Sequence, residues 1–254
     1  MSYVGGKARH AEFILNILND PQFDGMRYLE PFIGMAHIIS RVQRKQSYRA
    51  SDNCQLLVIL LGAIQKGEPL PTITRDEYCA LKVQPDSLRK ATAAITYSFN
   101  GKLFGGFTEF YHRKSGRVDN IPQSRKKYYH RLARCEGFQK ATLDCRDYRT
   151  HHPHGCLIYC DPPYARFEGR ATQYGVAFDT ETFWVTMREW SKHNVVFISE
   201  YQSPPDFVCI ASHSKPCTLA GGHRQIQRTE RLFTHVSTLP RLNPRIAESG
   251  LALT

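Results

Sequence analysis

A chain of 254 residues, 41% of them hydrophobic, is long enough to bury a sizeable core in one large domain or in a domain carrying an insertion. No apolar stretch approaches the length that crosses a bilayer and no charged-then-apolar leader follows Met1, so the composition predicts a soluble intracellular protein with no membrane partner. A formal charge of +11 points to a polyanionic partner, although such charge also serves solubility, and eight cysteines without regular spacing predict reduced thiols rather than a disulfide framework.

The N-terminus reads Ser2-Tyr3-Val4-Gly5-Gly6-Lys7 and runs into a helical pattern at Ile14, Leu15, Ile17 and Leu18. Two glycines permit close backbone approach to a ligand and Lys7 supplies a cation, but a flexible leader reads the same way. Residues 26–36 predict a strand to about Glu30, a tight turn at Gly34 and a helix starting near Ala36. Such a strand, small-residue turn and helix cradles nucleotide-like cofactors, and it also describes an ordinary strand-to-helix corner. Residues 48–53 predict a second strand ending in an acid, followed by a helix apolar at Leu56, Leu57, Ile59, Leu60 and Ile64. Asp52 lies about twenty residues past the glycine turn, where an acid meets ribose hydroxyls, and it also suits a helix N-cap; the two roles are compatible.

From residue 67 to 139 the pattern changes. Pro69-Leu70-Pro71 punctuates the chain, helical stretches follow at residues 75–83 and 86–97, and the interleaved aromatics and glycines of residues 98–107 predict a loop or hairpin. Between His112 and Arg134 stand eight basic residues (Arg113, Lys114, Arg117, Arg125, Lys126, Lys127, Arg131 and Arg134) against one acid, Asp119. Beside aromatics, such a run suits phosphate and base contact; a solvated helix face is the plainer alternative. Residues 141–148 predict a further strand with two acids, Asp144 and Asp147. His151, His152, His154, Cys156 and Cys160 match no common zinc spacing and predict a polar loop and two small core thiols, with no metal.

Leu157-Ile158-Tyr159-Cys160-Asp161-Pro162-Pro163-Tyr164 predicts a strand buried on both faces that stops at Asp161, because the prolines cannot donate ladder hydrogen bonds. The prolines then stiffen a loop at the carboxyl end of a strand, where open α/β sheets hold ligands. An exocyclic amine on a nucleobase is a poor nucleophile, since its lone pair is delocalised into the ring. The Asp161 carboxylate and the Pro162 carbonyl can both accept hydrogen bonds from it, which strengthen as positive charge builds on nitrogen. Tyr164 offers a face on which a base lifted from the duplex can stack. A plain strand end and Pro-Pro turn would carry the same four residues. Beyond this loop, residues 169–176 suit a segment closing over substrate or a surface loop. Asp179 or Thr180 caps a helix with buried-face residues Phe183, Met187 and Trp190, Trp184 packs, residues 195–199 predict a buried strand, and residues 207–211 and 230–236 predict two more around a glycine and arginine loop. After about Leu239 no periodic signal remains.

Asp161-Pro162-Pro163-Tyr164 resembles the catalytic motif of amino-group DNA methyltransferases, and the order of motifs from about Ser2 to about Val236 resembles the Dam-like, or D12, group of adenine-N6 methyltransferases. The resemblance implies an α/β fold with a Rossmann-like S-adenosylmethionine-dependent methyltransferase sheet. Its catalytic domain would comprise residues 1–66 and 140–254, with a helical and hairpin target-recognition insertion at residues 67–139. It implies S-adenosyl-L-methionine as cofactor and double-stranded DNA as partner, with a monomer sufficient for the chemistry. Residue by residue it assigns Tyr3, Gly5, Lys7, Glu30, Pro31, Phe32, Gly34, Asp52, Asn53, Asp147, Tyr148 and Asp161 to the cofactor pocket, and leaves Asp144 as a solvent or salt-bridge residue. Catalysis falls to Asp161, Pro162, Pro163 and Tyr164, and DNA contact to Asn100, Lys102, Arg113, Lys114, Arg117, Arg125, Lys126 and Lys127. The chain departs from the family in three places. Ala36 stands where a second glycine is usual, Asp52-Asn53 replaces Asp-x-Asn, and Asn100-Gly101 is followed by Lys102 and Gly105-Gly106-Phe107 rather than closely by an arginine, so GATC is not implied as the target.

The implied reaction is methyl transfer to N6 of adenine by base flipping and direct in-line displacement, with no covalent enzyme intermediate. Transfer to cytosine N4, where serine more often replaces the aspartate, or to RNA, uses the same chemistry. A catalytically silent DNA-binding module of the same fold is the reading from a different class. The expected setting is the cytoplasm of a prokaryotic or virus-infected cell, or the nucleus or viral factory of a eukaryotic host.

Overall fold

The computed structural model of the chain describes residues 11–111, 118–163, 178–218 and 225–251. Its main sheet has seven strands in the order β5 (Ala141–Cys145), β2 (Ser47–Asp52), β1 (Arg27–Glu30), β6 (Cys156–Cys160), β7 (Val195–Glu200), β9 (Gln225–His235) and β8 (Phe207–Thr218). The first five run parallel; β9 is antiparallel to β7, and β8 to β9. The chain builds outward from β1 through β2 to β5, then returns to the other flank of β1 with β6. Strands β1 and β6 are therefore neighbours whose connections leave in opposite directions, and the crevice at their carboxyl ends is the topological switch point of the sheet. The expected α/β sheet is present, and β8 and β9 close it as an antiparallel hairpin. Among the described residues no helix is long and apolar enough to cross a membrane.

The central strand shows why the sheet sits where it does. Every residue of Cys156–Cys160 is buried, and the alternation of a strand divides them between two layers. Leu157 and Tyr159 join the main core with Leu57, Leu60 and Phe197, while Cys156, Ile158 and Cys160 join Phe183, Trp184, Met187 and Trp190 of α7 (Thr180–Ser191). Asp179 caps α7, its carboxylate accepting the Thr182 N–H at 3.0 Å. The main core also takes Ile14, Leu15 and Leu18 of α1 (Ala11–Leu18) and the apolar face of α2 (Gln55–Lys66).

Residues 67–139 split between two cores. Helix α3 (Arg75–Ala80), opened by the Thr74–Glu77 capping box, and the turn of π-helix Thr92–Thr96 after α4 (Leu88–Ala91) enclose a small cluster of Ile73, Tyr78, Ala93 and Tyr97. Ser98 bridges Phe107 across an antiparallel turn, as the glycine-aromatic pattern predicts, and a two-stranded ribbon of β3 (Phe110–Tyr111) and β4 (Val118–Asp119) follows. The chain then rejoins the main core, because α5 (Gln123–Leu132) contributes Tyr128, Tyr129 and Leu132, and α6 (Glu136–Gln139) contributes Phe138.

Two expectations need correction. No α-helix starts near Ala36; a 3-10 turn, Ile39–Arg41, stands there instead, because Gly34 and Ala36 both adopt left-handed backbone (φ 47° and 59°) that a right-handed helix cannot contain. The segment after Leu239, which shows no periodic signal in the sequence, forms a helix: α8 (Pro244–Leu251) packs against β8, burying Ile246 with Leu242 of the preceding turn. Strand β8 is also longer than its apolar stretch, and it tolerates Pro216 because it lies at the sheet edge.

Helix α6 lies hard against the Ile39–Arg41 turn. A Cβ on Gly137 would sit 2.4 Å from the Ile39 carbonyl oxygen and 2.8 Å from that of Val42. Gly137→Ala should therefore lower the unfolding free energy by about 1–3 kcal/mol through overpacking, measured by urea titration; an unchanged midpoint would show that this approach is not tight.

Candidate active site

The turn that follows β1 is shaped by backbone bonds on both sides. Pro31 cannot continue the ladder, the Ile33 N–H reaches across to the Ser51 carbonyl at 3.0 Å, and the Ala36 N–H closes onto the Ile33 carbonyl at 2.8 Å. Gly34 is left-handed and donates its N–H to the Asp52 carboxylate at 3.2 Å. The other Asp52 oxygen accepts the Cys54 N–H at 3.0 Å. Asp52 is thus 7% exposed at the end of β2, and burial pushes its carboxyl up to about 6 against the pull of those N–H bonds. Each oxygen keeps a lone pair for a further donor. Ala36 holds a conformation that costs an L-residue with a Cβ about 1–2 kcal/mol, at the position where the resembled family has glycine.

Glu30 and Asp161 end the two strands that flank the switch point. Glu30 is 2% exposed and accepts the Tyr28 hydroxyl at 2.8 Å. Burial drives its carboxyl well above the ordinary carboxylate range, the Tyr28 hydroxyl pulls it back, and the negative charge of Asp161 pushes it higher again. Asp161 is half-buried, Pro162 buried and Pro163 half-buried. Two carboxyl groups of unequal burial therefore stand at the ends of neighbouring strands where the sheet opens.

At the end of β5, Asp147 caps a 3-10 turn, accepting the Arg149 N–H at 2.9 Å and the guanidinium at 2.7 Å, which holds its carboxyl below the usual range. Tyr148 is buried against Phe32 at 5.1 Å between ring centres, with Phe178 and Phe183 completing an aromatic wall. Asn53 is exposed beside Asp52. Asp144 pairs with Arg49 at 3.3 Å, as expected of a salt-bridge residue. His151 is buried and bonded to the Ser51 hydroxyl at 2.8 Å, its ring pushed down to about 4 chiefly by burial.

The structure brings together Glu30, Pro31, Phe32, Gly34, Asp52, Asn53, Asp147, Tyr148, Asp161, Pro162 and Pro163 at one edge of the sheet. Asn100 lies in the 3-10 turn Phe99–Gly101, Lys102 is exposed beside it, and Lys126 and Lys127 lie on α5, half-buried and exposed. Arg125 departs from expectation. It is 5% exposed, and its guanidinium is spent on the carbonyls of Ile95, at 3.0 Å, and of Thr96 and Ser98, so it stabilises the end of the π-turn rather than meeting a phosphate. Tyr3, Gly5, Lys7, Arg113, Lys114, Arg117 and Tyr164 lie outside the described residues, as does the segment 169–176. The sequence reading missed Tyr128, whose hydroxyl reaches the Met35 carbonyl at 2.5 Å. Helical spacing carries its signal, since Arg125, Tyr128, Tyr129 and Leu132 fall at i, i+3, i+4 and i+7 on the buried face.

Residues 3–184 match the family model described as D12 class N6 adenine-specific DNA methyltransferase. No curated protein sequence matches the chain. Among solved structures, the rRNA methyltransferase aviRa from Streptomyces viridochromogenes is similar over 96% of this chain and 89% of that one, at 10% identity and a TM-score of 0.39.

The Asp52 environment sets a pH dependence. With its folded-state pKa raised from 3.8 to about 6, the neutral carboxyl is favoured on folding. Its contribution to stability is full below about pH 4 and is lost as pH rises through about 6. Relative to Asp52→Asn, which does not titrate, the natural protein should lose about 3 kcal/mol of unfolding free energy between pH 4 and 7, two pKa steps at about 1.4 kcal/mol each. A difference that stays constant with pH would refute the buried environment of this carboxyl.

Proposed function

The chain belongs to the D12 class of N6 adenine-specific DNA methyltransferases, and on that premise we propose that the carboxyl ends of β1, β2, β5 and β6 form its active site. The enzyme transfers a methyl group from S-adenosylmethionine to N6 of adenine in DNA. The observation that carries the site assignment is that Glu30 and Asp161 stand at the carboxyl ends of the adjacent strands β1 and β6, beside a left-handed turn held by Asp52.

The donor set suits this cofactor, which presents an ammonium, two ribose hydroxyls, an adenine amine and a sulfonium cation. Asp52 accepts the ribose hydroxyls with its remaining lone pairs, as an acid at the end of the second strand does in nucleotide-binding sheets. Asp147 accepts the adenine amine, and Phe32 and Tyr148 supply the apolar wall beside it. The Gly34 turn lets backbone approach the ligand closely. Bound there, S-adenosylmethionine supplies an electrophilic methyl group on sulfur.

The chain's own residues do the rest. Asp161 and the Pro162 carbonyl accept hydrogen bonds from the target amino group, favouring its pyramidal, nucleophilic form and stabilising the positive charge that grows on nitrogen. Pro162 and Pro163 fix the backbone so that these acceptors need no reorganisation during reaction. A base buried in duplex DNA cannot reach this edge, so the target adenine leaves the stack first. Direct transfer needs no covalent enzyme intermediate, and the Cys160 thiol beside Asp161 is fully buried and driven well above the usual range. We assign phosphate contact with double-stranded DNA to Lys102, Lys126, Lys127, Arg131 and Arg134, half-buried or exposed on one segment, and DNA contact also to Asn100 in the turn Phe99–Gly101. A monomer holds every group this scheme uses.

Asp161→Ala should lower the single-turnover transfer rate at least about 100-fold, the loss typical of removing one transition-state hydrogen-bond partner, with its melting temperature unchanged. Transfer at the natural rate in a folded Asp161→Ala protein would remove Asp161 from the mechanism.

A further inference from the structure

The cofactor turn has a second clamp, and it comes from the DNA-facing segment. Met35 lies between the two left-handed residues Gly34 and Ala36, and its carbonyl accepts the Tyr128 hydroxyl at 2.5 Å. Tyr128 belongs to α5 and is 6% exposed, while the Arg131 guanidinium one turn later is exposed and lies over its ring at 5.4 Å. On the turn, His37 packs against the Tyr128 ring at 4.7 Å between centres, its plane tilted by 48°. His37 is 8% exposed, its Nε2 has no hydrogen-bond partner among the described residues, and chiefly burial, with nearby positive charges that include Arg131 and Arg41, pushes the ring down to about 4, so it stays neutral near pH 7. The close approach of Gly137 to the Ile39 and Val42 carbonyls joins α6 to the same turn.

Ala36 cannot hold its left-handed backbone unaided; surrounding contacts must impose it. Asp52 imposes it from the sheet side through Gly34, and Tyr128 imposes it from the insertion side through Met35. The residue over the Tyr128 ring is a surface cation on the basic run. A phosphate that orders the Arg131 side chain therefore acts on the group that fixes the cofactor turn, through one ring and one hydrogen bond. We propose that Tyr128 is a positioning residue that couples DNA contact on α5 to cofactor binding at the turn, so that each ligand raises the affinity for the other. The inference rests on the active-site assignment above. Linkage requires the effect to be reciprocal.

The test is a calorimetric titration of the full chain with S-adenosylhomocysteine, which cannot donate a methyl group, alone and with saturating unmethylated duplex DNA of mixed sequence. In the natural protein DNA should tighten binding by a factor in the range of about 5–150 that two-site coupling commonly spans. Tyr128→Phe, which keeps the ring and removes the hydroxyl, should bring that factor to within about twofold of unity. Tyr128 acting only as a structural prop would weaken binding equally with and without DNA and leave the factor intact, which would overturn the proposal. The Arg131 side chain is exposed, so Arg131→Met, titrated at a DNA concentration that saturates the variant, should lower the factor; an undiminished factor in that variant also overturns the proposal, even where Tyr128→Phe does not fold. Absence of coupling in the natural protein refutes the coupling alone, whereas absence of S-adenosylhomocysteine binding refutes the active-site assignment beneath it.

Discussion

The Asp52 carboxylate ties the end of β2 to the turn after β1, accepting the Gly34 N–H with one oxygen and the Cys54 N–H with the other. Much of the site depends on that pair of bonds. They fix where the chain leaves β1, and they keep a polar group ready in a place from which burial would otherwise exclude it. The parallel order of the sheet supplies the rest, since β1 and β6 are neighbours whose connections diverge, leaving Glu30 and Asp161 at an opening rather than under a helix. The same burial that raises Asp52 to about 6, and raises Glu30 as well, makes their hydrogen-bonding partners decisive. Neither carboxyl would hold its position without the Tyr28 hydroxyl or the backbone N–H groups around it.

The segment of residues 67–139 is built into this frame rather than appended to it. Its first half has a core of its own around Tyr78 and Tyr97, but its second half places Tyr128, Tyr129, Leu132 and Phe138 in the main core. Gln65 and Gln139 exchange side-chain bonds with each other's neighbourhood, Gln65 reaching the Ala141 carbonyl at 2.8 Å and Gln139 the Gln65 carbonyl at 3.0 Å. The helix that carries part of the basic run is tied to the turn after Gly34 as well, through the Tyr128 hydroxyl on the Met35 carbonyl.

The strands and the order of motifs were legible because their signals are local. The apolar run before Asp161 has one outcome in a two-sided sheet, and the Pro-Pro pair ends it at a fixed residue. Asp179 was legible as a cap, and Asp144 as an ion-pair residue. The turn after Gly34 was not, because nothing in Met35-Ala36-His37 announces that an alanine will be held left-handed with help from a tyrosine 93 residues beyond Met35. Arg125 was misplaced because charge was weighed as a run and not by helical face; its period with Tyr128 and Leu132 marks it as buried. Helix α8 escaped notice because two apolar residues, Leu242 and Ile246, suffice to dock it. In each case the missing information was tertiary: which carbonyl, ring or sheet edge waits at the other end of the contact.

The central claim is that this edge of the sheet carries methyl transfer to the exocyclic amine of adenine. The most direct measurement incubates the protein with methyl-labelled S-adenosylmethionine and unmethylated duplex DNA, digests the product to nucleosides and identifies the labelled one by mass spectrometry. The account predicts N6-methyladenine. Label in N4-methylcytosine, or in no nucleoside while the cofactor binds, would contradict it.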